Sequence, residues 1–215
     1  MTSESTRAFV WTRLASLLSI LPLGVWTANH LYDNLSAFFG AEAWQAAVTE
    51  HPHSGAHLMT MVAVLLPLAL HSVWGIQRLF SFKPNNRAYP HYGNLKYLLQ
   101  RLSAVGLLAF LGAHLWLALI QPRLLEGHAE PFADIAREMR FHTPTLVVYV
   151  LGCLGAAYHL ANGLAGFFWT WGLASGRRSF KYLEWVSIGL FLGLLSMAYG
   201  AIYALWNAGA ALGPG

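Results

Sequence analysis

Residues 143–171 read TPTLVVYVLGCLGAAYHLANGLAGFFWTW, a run without a single Asp, Glu, Lys or Arg. About 20 predominantly apolar residues in helical form suffice to cross a bilayer core, and this run is longer. One residue breaks its character. His159 stands inside the apolar stretch, and an ionisable side chain in a membrane span is costly and by default marks a functional site. Gly155 and Gly163, four residues to either side, share its helix face.

The pattern recurs along the chain. Segments of approximately 9–31, 58–80, 100–120 and 183–206 are also apolar and helix-length. The first three carry His30, His71 and His114, so that the four histidines fall 41, 43 and 45 residues apart. That spacing is close to one span plus its loop. The fifth span has no histidine and reads as a packing helix.

Of the 215 residues 56% are hydrophobic and only 10% charged, with a mean hydropathy of +0.46; a soluble domain carries about 25% charge. The chain is therefore expected to be all-α, a polytopic bundle of five transmembrane helices forming one membrane domain over residues 1–215. The polar start and the lack of a small-residue cleavage site make the first apolar run a retained helix rather than a signal peptide. A short surface helix is expected around Ala41–Val48, while Ser81–Leu99 and Gln121–His142 read as polar connections. The lone Cys153 excludes an internal disulfide, a covalent C-x-x-C-H haem and a cysteine-held iron–sulfur cluster.

Lys and Arg concentrate on cytoplasmic loops. With the N-terminus cytoplasmic, the inner segments hold Arg7, Arg13, Arg78, Lys83, Arg87, Lys96, Arg101, Arg177, Arg178 and Lys181, and the outer ones only Arg123, Arg137 and Arg140. This direction gives each histidine a depth. His30 and His114 come late in outward-running helices, near the outer face. His71 and His159 lie past the midpoints of inward-running helices, in the inner half. The four sort into an outer and an inner pair, with levels roughly 10–20 Å apart at the helical rise. Two such pairs suit the axial positions of two non-covalent b-type haems, a ligation that favours electron transfer over oxygen binding. The competing reading is a haem-free transporter or proton channel with the histidines in a relay. A cytochrome b anchor of another quinone-linked dehydrogenase, of the hydrogenase or formate dehydrogenase kind, is a further alternative.

The residues flanking the histidines carry a resemblance. Arg13-Leu14 through Ser16-Leu17-Leu18 leads to His30-Leu31, and Leu66-Pro67-Leu68 to His71 with Val73 and Gly75. Leu99-Gln100-Arg101 leads to His114-Leu115-Trp116, and Asn162-Gly163-Leu164 with Thr170-Trp171-Gly172 follows His159. In order, spacing and flanks these runs resemble the two-haem cytochrome b558 membrane anchors of succinate dehydrogenases and quinol:fumarate reductases, over nearly the whole chain. The resemblance implies five helices in the cytoplasmic membrane and two haems b, the inner held by His71 and His159 and the outer by His30 and His114. It also implies a flavoprotein subunit and an iron–sulfur subunit on the cytoplasmic side, as in respiratory complex II of the tricarboxylic acid cycle. The quinone would be menaquinone, the only other partner lipid, with no nucleic acid, and the whole complex could assemble into a higher oligomer. This chain would carry no dicarboxylate site. Some fumarate reductases of the family have a glutamate two residues before the fourth-helix histidine, for a transmembrane proton route. Here that position is Ala157, which points to succinate oxidation.

Haem propionates call for cations and hydroxyls, and Arg13, Ser16, Tyr97 and Arg101 fall at the cytoplasmic helix ends to supply them. Gly75 and Gly163 would admit a flat porphyrin edge beside His71 and His159. Quinone chemistry needs proton donors near an outer pocket, for which Glu50, His53 and His57, just before the second span, are the candidates.

Overall fold

A computed structural model of the chain describes residues 3–50 and 60–213, and among these every regular element is helical. Five helices are long and apolar enough to cross a membrane: Phe9–Phe39, Val62–Phe80, Tyr92–Leu125, Thr143–Thr170 and Arg177–Gly209, called here the first to the fifth. Long apolar side chains such as Leu21, Val25, Leu70, Val73, Leu102, Leu151 and Leu192 point outward. Small ones, among them Ala157, Ala161, Ala165, Ala198 and Ala201, are buried. That is the arrangement expected where lipid is the solvent and close backbone approach holds helices together.

The first helix is not uniformly α. It widens into a π turn over Ser19–Gly24, around Pro22. The third does the same over Trp116–Leu125, around Pro122. A proline lacks the N–H and presses on the carbonyl four residues back, and a wider turn relieves both. Gly40, at φ 99°, ends the first helix in a conformation that costs glycine little. A short helix, Ala41–Trp44, follows and runs on as a π turn, Gln45–Thr49, where the surface helix was expected. Residues 51–59 lie outside the description, and with them the expected start of the second span.

The connection Gln121–His142 differs from its reading as a polar loop. It contains a ten-residue helix, Phe132–Phe141, lying across the bundle end. Phe132, Ile135, Ala136 and Met139 repeat at i, i+3, i+4 and i+7 and are all buried, the stripe of an amphipathic helix. The fifth helix pins it: a side chain on Gly209 would overlap the Ala136 carbonyl, and the Arg140 guanidinium lies 3.7 Å over the Trp206 ring. Elsewhere the fifth helix locks the fourth through Ser187 Oγ, which donates to Ala161 O at 2.6 Å, and Tyr199 OH, which donates to Val150 O at 3.2 Å.

Candidate functional site: two histidine pairs

Across the bundle the imidazoles meet in twos. The rings of His30 and His114 have centres 5.9 Å apart and planes inclined by 65°. Those of His71 and His159 are 6.1 Å apart and inclined by 68°. An imidazole nitrogen binds a transition metal at about 2.0–2.1 Å, and its ring centre lies roughly 1 Å further back, so two rings facing one ion in line have centres about 6 Å apart. Both pairs have that spacing. Among the described residues no group of three or more His, Cys, Asp or Glu converges on a point, so each pair would offer two protein ligands and leave the equatorial positions to another group.

Three contacts set the heights. Ser19 lies beside His71, Ser103 beside His159 and Tyr149 beside His114. Eleven residues separate Ser19 from His30, eleven separate Ser103 from His114, and ten separate Tyr149 from His159. The third and fourth helices, α over these stretches, thus put the two levels about 15–17 Å apart.

The rings are held from behind. Ser19 Oγ lies 2.6 Å from Ala15 O, to which it can donate, and 2.7 Å from His71 Nδ1. In the tautomer with its hydrogen on Nδ1, His71 donates to Ser19 and keeps a lone pair on Nε2, the state a metal ligand needs. Tyr149 OH lies 3.1 Å from His114 Nδ1. Gln100 Nε2 and Ser103 Oγ reach His159 Nδ1 at 3.2 and 3.4 Å, and Asn162 donates to Gln100 Oε1 at 2.8 Å. His30 is held by stacking on Trp26, centres 4.6 Å apart, while Asn34 caps its carbonyl at 2.8 Å. Phe110 lies between the two outer partners, stacked on His114 and edge-on to Tyr149.

The fit of an anionic, flat group can be tested beside the His71–His159 level. Arg101 lies close enough to His159 to act on its charge, and its Nε is buried without a hydrogen-bond partner, its guanidinium 5.0 Å over the Tyr97 ring. A half-buried cation with an unused donor suits a carboxylate. Arg13 borders a recess of about 400 Å³ with Phe9, Thr12 and Thr170, and Ser16 accepts from Trp171 Nε1 at 2.9 Å. Beside Gly75 an added side chain would meet nothing within 4 Å, so the protein itself leaves that face of the second helix open. The two glycines flanking His159 face a neighbouring helix instead. A methyl on Gly163 would lie 3.6 Å from Gln100 Nε2, and one on Gly155 3.5 Å from Ser103 O.

Of the three quinone candidates, Glu50 is an exposed residue just after the short helix, and His53 and His57 lie outside the described residues. The same end of the bundle holds a cavity of about 430 Å³ bordered by Gln121, Glu126, His128, Glu130, Glu138 and His142. Glu130 is 7% exposed and its Oε2 lies 3.4 Å from Arg123 Nε. Burial raises its carboxyl above the ordinary 4.5, and the Arg123 cation offsets only part of that. Sequence reading passed over Ser19, Gln100, Ser103, Tyr149 and Glu130. The first four carried one signal, a polar side chain in an apolar span, which alone says nothing of which ring it meets.

Residues 81–194 match the family described as succinate dehydrogenase/fumarate reductase transmembrane subunit. The chain is also similar to the succinate dehydrogenase cytochrome b558 subunit of Bacillus subtilis (strain 168), with 30% identity over 204 residues, 94% of this chain and 98% of the relative.

Proposed function

This chain belongs to the succinate dehydrogenase/fumarate reductase transmembrane subunit family, and from that premise we propose that it is a di-haem b anchor linking an iron–sulfur subunit to a membrane quinone. The observation that carries the reading is the meeting of four intramembrane histidines in two pairs, 5.9 and 6.1 Å between ring centres, at two depths. His71 with His159 and His30 with His114 would be the axial ligands. When bound, two haems supply one-electron stations that bridge the bilayer while filled axial positions keep other ligands off the iron.

The remaining work falls to the chain's own side chains. Arg101 and Arg13, with Ser16 and Tyr97 beside them, would neutralise propionates at the first-helix end, and Gly75 leaves room for a porphyrin edge. The apolar spans exclude water from both pairs. The Lys and Arg bias places the first-helix end in the cytoplasm, so the flavoprotein and iron–sulfur subunits would dock there. Glu50, His53 and His57 are proposed as proton donors to quinone at the opposite face, with menaquinone the species the family resemblance implies. Ala157 is 2% exposed and offers no proton, which favours succinate oxidation.

A reduced-minus-oxidised spectrum of the purified protein tests the reading. A b-type α-band with two haems per chain is expected, and His71→Ala or His159→Ala should remove one and spare the other. A chain without haem refutes it and favours the histidine relay. Moving one charge through the membrane is worth about 2.3 kcal/mol per 100 mV. With quinone reduced at the outer face, an uncoupler should slow succinate:menaquinone activity in vesicles, and unchanged activity would remove the outer quinone site.

A further inference from the structure

The connection between the third and fourth helices gathers ionisable side chains round one space, and the reading above uses none of them. That cavity, of about 430 Å³, has room for several waters at about 30 Å³ each. We propose that it is a proton inlet from the outer water and that Glu130, its buried carboxyl group, is the relay residue that passes protons to the outer quinone site. The proposal rests on the outer-site reading and adds the route that supplies it.

Exposure is graded along the lining. His128 and Glu126, 3.0 Å apart, and His142 and Glu138, 3.2 Å apart, form two pairs that stand partly in water. Histidine is the side chain that gains and loses a proton near neutral pH, so each pair can collect one. Glu130 is the opposite case. It is 7% exposed, and its Oε2 is buried without a hydrogen-bond partner. A buried acceptor in that condition calls for a hydrogen that the protein does not supply, and water in the cavity can bring it. Burial also keeps a proton on this carboxyl to higher pH than an exposed one would hold it. Arg137, another lining residue, has a buried Nε that is likewise without a partner. Of the remaining charged groups, Asp134 pairs with Arg137 at 3.3 Å, and Arg123 places Nε 3.4 Å from Glu130 Oε2. The Arg123 cation lets Glu130 pass through its carboxylate state between protons.

Two contacts tie Glu130 to the outer level. Arg123 also donates to Thr49 O at 3.1 Å, next in sequence to Glu50, one of the proposed quinone donors. Glu130 itself lies close enough to Tyr149, the partner of His114, for its charge to act there. A quinone takes two electrons and two protons to become quinol. The electrons arrive through the outer level. For each proton, the Glu130 carboxyl gives up its hydrogen inward, becomes a carboxylate and is reprotonated through the cavity. After turnover the chain is unchanged and the outer water has lost two protons.

Reduction of a short-chain naphthoquinone by succinate, measured against pH in the intact complex, is the test. Glu130→Gln should slow quinone reduction roughly 10²-fold, as for a lost proton-transfer group, while succinate still reduces both haems and haem content stays at two. Glu130→Asp keeps a carboxyl and should recover most of the rate. The double variant His128→Ala, His142→Ala changes only the water-facing pairs. Its rate should fall further below that of the wild type as pH rises, and imidazole added to the medium should restore it. A wild-type rate and pH profile in Glu130→Gln, an equal loss in Glu130→Asp, or a double histidine variant that behaves as the wild type would overturn the proposal. Should Glu130→Gln lose haem, the double histidine variant decides alone. Failure of the outer quinone site itself shows differently, as wild-type activity in vesicles that an uncoupler leaves unchanged.

Discussion

Gly152→Ala is a one-methyl change that should reach a histidine the mutated residue never touches. Gly152 lies on the fourth helix where the third comes closest, and a methyl there would overlap the Phe110 ring. Carbons in contact rest about 3.5–4.0 Å apart, so the ring must yield by about 1 Å or more. It has nowhere easy to go, being 9% exposed, stacked on His114 and wedged against Tyr149. Overpacking of this kind costs about 1–3 kcal/mol. At 1.4 kcal/mol per tenfold, that corresponds to roughly 5- to 150-fold weaker binding if the strain falls on the group held by His30 and His114. The His71–His159 level is seven residues further along the fourth helix, about 10 Å, and should be spared. Haem per chain after detergent washing, read with the α-band, should fall from two towards one, the surviving spectrum being that which His71→Ala removes. Retention of both haems with an unchanged spectrum, or equal loss of both, would refute the chain of contacts from Gly152 through Phe110 to His114.

Gly75→Ala is the complementary case. No protein atom lies within 4 Å of the added methyl, so the bare fold should tolerate it, and a selective change in the inner haem spectrum would report a bound group filling that space. Met139→Ala empties a fully buried site under the cross-helix and should cost about 2–5 kcal/mol, seen as a lower thermal midpoint in detergent; an unchanged midpoint would mean Phe132–Phe141 is not packed as described. Glu130 tests the sign of a raised carboxyl. Folding shifts it towards its neutral form, so its contribution is present below the ordinary value of 4.5 and is lost as pH rises through the raised folded value. Thermal midpoints measured across that range should decline with pH in the wild type and less so in Glu130→Gln, and parallel curves would count against the burial of this carboxyl.

The pairing of the histidines was open to reading because it depends on two simple periods. A span has a fixed length and successive spans alternate in direction, so position along each segment converts to depth, and depth decides that His30 meets His114 and His71 meets His159. The residues behind the rings were not open in that way. Ser19 and His71 are 52 positions apart, and which faces of two helices meet depends on packing of small residues over their whole length. Gly155 illustrates the same limit. Its spacing puts it on the helix face of His159 without saying what that face meets, and the structure puts it against the third-helix backbone at Ser103 and Leu107. The cross-helix was legible and passed over. Phe132, Ile135, Ala136 and Met139 carry the full helical stripe, but Asp134, Arg137 and Glu138 between them and Arg140 just after disguised it as a charged connection. The π turns at Pro22 and Pro122 lie between these cases, since proline predicts a break in an apolar helix without saying that the helix will widen and continue.

Because the fifth helix clamps the cross-helix at Gly209 and Trp206, the order of synthesis matters to assembly. Chains leave the ribosome N-terminus first, so all four histidines emerge before the clamp exists. The residues that hold the His71 and His159 rings, Ser19, Gln100 and Ser103, have all been made once the fourth helix has been translated. The apolar cluster that joins Phe110 and Tyr149 to Met139 also contains Leu205, so the region behind His114 closes only with the last segment made. On the haem reading proposed above, loading would begin at the inner level while translation continues, and the outer level would be sealed as the ribosome finishes.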